Sequence, residues 1–335
     1  MRATTLISAI RRPRQIGMSL VEVMIALSLG VVLSLAVVNL FLQSKTSYFQ
    51  DEQTAQLQEN GRWALRYIVR ELSMGGFLGG IIDSTAVTTT VAVANDCGLG
   101  WTNNTDTLLE HMNDVTDTEV VATYDCFDSG EVVPGTDLLA VRRTKDNPHV
   151  EDGAVTVEPG DNTLYLRVAD FGADSSLVKG SAVTTADKTA GSSVDIWQYQ
   201  PQLLFIRPYA ETSGDGIPSL CRKTLTTNAT VLAMDSTECM VEGIENLNVE
   251  FGIDTDNPFD FVPDYYEPEP TAVELERAVT ARVFVLSRSI NELNGYTNNK
   301  SYSLGELTID ATDDGYYRRV MQTTVMLRNS EAFGF

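Results

Sequence analysis

The chain has 335 residues, with 24 Lys and Arg against 46 Asp and Glu, a formal net charge of −22. That balance argues against a nucleic-acid ligand, whose phosphates are held by Lys and Arg. The 43% hydrophobic content is ample for a core, while two histidines, His111 and His149, disfavour most zinc and triad chemistry.

Charge is spread unevenly. Residues 1–17 hold Arg2, Arg11, Arg12 and Arg14 and no acid, and the twenty residues Val23 to Leu42 hold no charge at all. A helix of that length is about 30 Å long, the thickness of the hydrocarbon core. Arginines ahead of it place the N-terminus in the cytoplasm and everything after about Gln43 outside. No small-residue cleavage site follows the apolar run. The stretch Gln43-Ser44-Lys45-Thr46-Ser47-Tyr48-Phe49 suits a continuing helix better than a removed secretory signal.

The junction Gly17-Met18-Ser19-Leu20-Val21-Glu22 places a carboxylate at the edge of the apolar segment, where an acid is costly. Locally, Ser19 and Glu22 have the spacing of a capping box, and an acid in a first turn suits the helix dipole. Taken together, the basic leader, the glycine, the short motif ending in Glu22 and the apolar run resemble the prepilin signal of type IV pilins and type II secretion pseudopilins. The resemblance implies cleavage after Gly17 by prepilin peptidase on the cytoplasmic face. It implies N-methylation of Met18, which stands where the family usually has Phe. It also implies that Glu22, the fifth mature residue, docks onto the N-terminal amine of a neighbouring subunit. Such an amine has a reference pKa near ~8. An unmatched charge in a low-dielectric filament core is heavily penalised.

No proline lies between Pro13 and Pro134, so the helix is expected to run from Met18 to Met74. Leu57, Ala64, Leu65, Ile68 and Leu72 fall within an arc of about 100°, an amphipathic stripe. Gly75-Gly76 is its expected C-cap. The stretch Gly61-Arg62-Trp63-Ala64-Leu65-Arg66-Tyr67-Ile68-Val69-Arg70-Glu71-Leu72, followed by Gly75-Gly76-Phe77, is similar to the helix end of PilW-type minor pilins.

The remainder reads as β-rich. Leu247, Val249, Phe251 and Ile253 alternate with Asn248, Glu250 and Gly252, the period of a half-buried strand; Val279, Ala281, Val283 and Val285 form another such face, and Met321, Thr323, Val325 and Leu327 a third. Shorter candidates are 137–143, 164–168 and 203–207. Residues 241–247 and 316–329 also resemble PilW-type heads, and the type II secretion pseudopilin J has a comparable strand order. Residues 81–135 and 170–195 read as Thr/Ser/Asp/Gly-rich loops or an insertion.

Cys97, Cys126, Cys221 and Cys239 all lie in the segment placed outside the cytoplasm, where disulfides form. Four cysteines allow three connectivities, and neighbour pairing, Cys97–Cys126 and Cys221–Cys239, is the expectation. Asp254 to Glu276 holds eight acids, four prolines and no base, the composition of a solvated loop. Asp254, Asp256 and Asp260 are weak calcium candidates, because Pro258 and Phe259 depart from a calcium-loop pattern. Both histidines are expected at the surface. Hydrolase, nucleotide-binding and metalloprotease motifs are missing, so no catalytic residue and no cofactor is expected.

The expectation is an α+β, pilin-like lollipop, a long N-terminal hydrophobic and amphipathic helix packed on a β-rich head of antiparallel sheets. Residues 1–17 would be a cleaved leader, 18–76 the helix (23–42 transmembrane or filament core) and 77–335 an extracytoplasmic head with long acidic loops. The function the resemblance implies is that of a structural minor pilin in a tip or priming complex. Its partners would be other minor pilins, the major pilin, prepilin peptidase, the inner-membrane assembly platform and a tip adhesin. It would sit in the inner membrane with its N-terminus cytoplasmic before assembly, then in the extracellular pilus. The alternatives are a type II secretion pseudopilin and a membrane-anchored extracytoplasmic enzyme or binding module.

Overall fold

The computed structural model describes residues 17–329 apart from 80, 82, 83, 99, 229 and 230, and apart from the side chains of 85, 227, 228, 235 and 236. The leader expected over residues 1–17 lies outside the described residues except for Gly17. One helix, α1, spans Leu20–Met74, and the chain divides within it into compact units that end at Glu52 and begin at Gln53.

In the first unit the helix is uncovered, and from Val23 to Leu42 it is apolar on every side. Leu20, Leu33 and Phe41 are 79%, 66% and 67% exposed. The helix is long and apolar enough to cross a membrane. Three hydroxyls bond within the helix, Ser28 donating to the Ile25 carbonyl, Ser34 to Gly30 and Thr46 to Leu42.

The second unit carries the strands. In chain order they are β1 (Thr88–Thr89), β2 (Leu109–Met112), β3 (Leu138–Thr144), β4 (Val150–Glu151), β5 (Ala154–Val155), β6 (Leu164–Ala169), β7 (Asp174–Lys179) and β8 (Val194–Arg207). Then follow β9 (Ser219–Asn228), β10 (Val231–Glu242), β11 (Ile244–Ile253), β12 (Tyr265–Glu267), β13 (Ala278–Arg288), β14 (Tyr302–Leu304), β15 (Leu307–Ile309) and β16 (Arg318–Met326). Two short helices, α2 (Asp117–Thr123) and α3 (Ala272–Glu276), each begin with a capping box, Thr116 with Glu119 and Thr271 with Glu274.

The fourteen-residue strand β8 organises the larger sheet. Its first part pairs with β6 and its second part with β3 and β9. The smaller sheet has the order β12-β11-β13-β16. Named strands pair antiparallel apart from β1 with β7, which is parallel.

From Gln53 onward the helix buries one stripe, Gln53, Leu57, Gly61, Ala64, Ile68, Glu71 and Leu72, the spacing of a one-sided helix. Ala64, Ile68 and Leu72 share a core with Leu247, Val249 and Phe251 of β11, Ala281, Val283 and Val285 of β13, and Leu139, Leu204 and Ile206 of the larger sheet. Gly61 lets the helix approach closely, since a Cβ there would meet Met321 and Ser287 at 2.9 Å. The helix stops at Met74, and Gly76 turns the chain with φ +79°, where a Cβ would lie 2.9 Å from the Asn329 carbonyl.

A buried ion pair sets the register of this packing. Arg143 of β3 donates to both Glu71 oxygens, at 2.7 and 2.9 Å, with both side chains nearly inaccessible. Gln202 of β8 donates to the same carboxylate and accepts from the Tyr67 hydroxyl at 3.1 Å. Arg222 of β9 donates to that hydroxyl at 2.8 Å and pairs with Glu238 of β10 at 2.7 Å. Burial first, then the Glu71 charge, push the Tyr67 phenol above its ordinary pKa, so it remains a donor.

The expected loops at 81–135 and 170–195 are partly structured. The first contains β1, β2 and α2, and the second contains β7. Trp101, Val115, Val120, Tyr124 and Phe127 pack with Leu203 and Phe205 in a core of their own. Disulfides join Cys97 to Cys126 across this region and Cys221 to Cys239 across the β9–β10 hairpin. By loop entropy each contributes a few kcal/mol, about 3–4. Fully buried Arg142 ties the region to β3 by donating to the Trp101 carbonyl at 2.9 Å, the Thr107 carbonyl, and Glu110 at 2.8 Å.

Across the smaller sheet, Arg318 of β16 holds Glu245 of β11 at 2.5 Å and Asp314 at 2.6 Å. The Arg318 hydrogen bond holds the Asp314 carboxyl down to about 2.

Glu71→Ala leaves Arg143 buried and unpaired, and should cost about 3–5 kcal/mol in urea unfolding of the full chain in detergent. Combining Glu71→Leu with Arg143→Met should recover most of that loss. Because the folded pKa of Asp314 is depressed, its stabilisation is present above the ordinary carboxylate range and is lost as pH falls to about 2. Asp314→Asn should therefore melt lower than the parent at pH 7, by about 1–2 kcal/mol after discounting partial exposure, with the gap closing as the pH approaches 2.

Candidate functional site

The N-terminal junction is open to other molecules. Gly17 has nothing within 4 Å of where a Cβ would sit, and Met18 is 69% exposed. Both precede the first helical residue, Leu20, so the Gly17–Met18 peptide bond lies in exposed, non-helical chain. The Ser19 and Glu22 capping box is formed. Ser19 N–H donates to Glu22 Oε2 at 3.4 Å and Glu22 N–H to Ser19 Oγ at 3.3 Å. Both bonds are at the long, weak end of the range. Glu22 Oε1 has no partner among the described residues, and a carboxylate has several lone-pair sites. Capping and acceptance of an external amine are therefore compatible at one side chain. Arg2, Arg11, Arg12 and Arg14 lie outside the described residues.

The acidic loop after β11 brings Asp254, Asp256 and Asp260 together, with one carboxylate oxygen of each within 4.8 Å of the others. Asp254 is buried, and its oxygens accept N–H groups of Asp256 (2.9 Å), Asp260 (3.1 Å) and Phe261 (2.8 Å). Asp264 accepts from Thr255 N–H at 2.8 Å, and Arg277 donates to the Asp254 and Asp256 carbonyls at 2.8 and 3.0 Å. The loop is thus folded around the Asp254 carboxylate, for which a cation would compete with three N–H donors. Asp264, and secondarily burial and the other two aspartates, push Asp256 above its ordinary pKa, as expected for neighbouring like charges.

The histidines differ from the surface positions expected of them. The His111 side chain is 2% exposed, with Nε2 2.9 Å from Asp137 Oδ2 and its ring against Phe251. Asp137 also accepts from Val249 N–H at 2.7 Å and Asp114 N–H at 3.1 Å, so the pair links β2 to β11. His111 lies on a short strand with no alternation, and its partner is 26 residues away, which conceals the pairing in sequence. His149 is half-buried against the Tyr165 ring, and burial, then Lys145, lower its pKa.

Residues 12–38 match the model of the prokaryotic N-terminal methylation motif, and residues 209–329 match that of the type IV pilus-assembly protein W. No curated protein and no solved structure matches the chain. The two matches support a type IV pilin-like minor pilin with a pilus-related role. The methylation motif and the long apolar helix fit a membrane-anchored pilin.

Asp254→Ala removes the buried carboxylate that accepts three loop N–H groups. It should lower the melting temperature of the full chain by a few degrees, at about 0.5–1.5 kcal/mol net per hydrogen bond lost and less where water replaces the carboxylate. The loss should be the same with EGTA and with added calcium, and EGTA should leave the parent's melting temperature unchanged.

Proposed function

We propose that the chain is a structural minor pilin, inserted in the inner membrane as a precursor and then drawn into a type IV pilus. The observation that carries this reading is the N-terminal junction: an accessible Gly17–Met18 bond, a Glu22 carboxylate with one uncommitted oxygen, and an apolar helix covered on no side. Prepilin peptidase cuts after Gly17, which leaves the Met18 amine for methylation. Glu22 of the incoming subunit then neutralises the amine of a subunit already in place. An ion pair in such a low-dielectric setting is favourable only when both partners are present and well placed. The uncovered helix buries its apolar surface against neighbouring helices, which supplies the driving force once it leaves the lipid.

The head, residues 77–335, is large for a repeating shaft. We place the subunit at or near the tip, in a priming complex with other minor pilins above the major pilin and beneath an adhesin. The head match to a pilus-assembly family favours a pilus over a secretion pseudopilus. The role proposed is assembly rather than catalysis.

Mass spectrometry of the mature protein should find N-methylated Met18, and an intact Met1 would overturn the reading. Glu22→Ala should abolish surface pili while expression and membrane insertion stay normal. If piliation were unchanged, Glu22 would serve only as a cap. Immunogold label on the head should cluster at filament ends, and even labelling of the shaft would refute tip placement.

A further inference from the structure

A groove of about 270 Å3 runs along β2, the last strand at one edge of the larger sheet. Its walls are β2, the short helix α3 and the chain that follows β16, with Leu72, Leu275 and Leu327 supplying apolar surface. The strand pairs with β3 on one side only. Arg142 N–H donates to the Leu108 carbonyl at 2.8 Å, which sets the phase of that pairing. Leu108, Glu110 and Met112 therefore face β3, while Leu109 and His111 direct their backbone N–H and C=O groups away from it. Among the described residues nothing pairs with those outward groups. Leu109 and His111 both line the groove.

Natural sheet edges are commonly protected by Lys, Pro or a bulge. The sequence Leu109-Glu110-His111-Met112 has none of these, its only protection being its four-residue length and Glu110, whose side chain is held by Arg142. The volume is below the about 300–1,000 Å3 of small-molecule pockets. An open backbone edge beside apolar walls instead matches strand addition, in which main-chain bonds give affinity and alternate side chains give specificity. Charge indicates the occupant. Asp106 and Glu276 border the groove, both are exposed, and neither forms an ion pair among the described residues.

We propose that this groove binds an extended segment of a partner protein in which Lys or Arg alternates with apolar residues, added as a strand to β2. Its main chain meets Leu109 and His111, its apolar side chains fill the space between Leu275 and Leu327, and its cations meet Asp106 and Glu276. The inference goes beyond the filament reading and does not rest on it, since a chain that failed to enter a pilus would still bind the segment.

The test uses the full chain in detergent micelles and a fluorescein-labelled Lys-Val-Lys-Val-Lys-Val peptide, read by anisotropy. Binding should saturate, and a Glu-Val peptide of the same length should bind at least about tenfold more weakly. N-methylating all the Val amides or all the Lys amides blocks opposite edges of the peptide strand, so one set should abolish binding and the other spare it. Ala272→Trp fills the groove from an exposed helix position and should weaken binding about tenfold or more without moving the melting temperature. Glu276→Lys should weaken the Lys-Val peptide and improve the Glu-Val peptide relative to the parent. Equal binding of both peptides, indifference to Ala272→Trp, or equal effects of the two N-methylation patterns would overturn the proposal. So would concentration-dependent self-association abolished by Ala272→Trp, because a second copy of the chain would then be the occupant.

Discussion

The Glu71 carboxylate governs how the helix meets the sheets. It is buried, and it accepts from Arg143 on β3 and Gln202 on β8. A displaced helix would strand an unpaired charge, which costs more than sliding apolar side chains past one another. The apolar stripe from Leu57 to Leu72 gives most of the packing energy, but apolar contacts tolerate shifts. The hydrogen-bonded ion pair tolerates very little. The extension through Tyr67, Arg222 and Glu238 carries the same constraint to the β9–β10 hairpin.

Along one helix the surroundings change at Gln53. Before it, the side chains find no cover within the chain, and from Val23 to Leu42 they are apolar on every face. After it, a single face is apolar and the opposite face carries Arg62, Arg66 and Arg70. Gly61 belongs to the second regime, where the helix backbone comes close to Met321 and Ser287. The compact units divide at this change, well inside the helix, because burial and not secondary structure decides compactness.

Strands that lie with one face on this helix core were legible in the sequence. Leu247 to Ile253, Val279 to Val285 and Met321 to Leu327 place alternate apolar side chains on one face of the sheet, although in β11 the intervening Asn248 and Glu250 are buried as well. The β9–β10 hairpin was not legible, since its Thr-rich strands owe their order to pairing with β8 and to the Cys221–Cys239 bridge. Nor was β7, whose sequence Asp-Ser-Ser-Leu-Val-Lys has no clear alternation. The region around Trp101 and Phe127 read as loop because its core residues are scattered, and a disulfide and buried Arg142 gather them. At the junction, both readings of Glu22 were visible in the order of residues, and the structure contains the capping half.

The sequence by itself determined the features set by local order: the apolar span, the uncharged break after the arginines, the Ser19–Glu22 spacing, the stripe that ends at Gly75-Gly76, and the alternating strands. Each follows from residues close together in the chain, where period and spacing are sufficient. Only the tertiary structure decided which distant groups meet. It paired Glu71 with Arg143 and His111 with Asp137, wrapped the loop of Asp254 around its own carboxylate, and left one edge of β2 open beside a groove. Apart from the Asp254 loop, whose bonds span two to seven residues, those outcomes depend on contacts between elements far apart in sequence that no local pattern encodes.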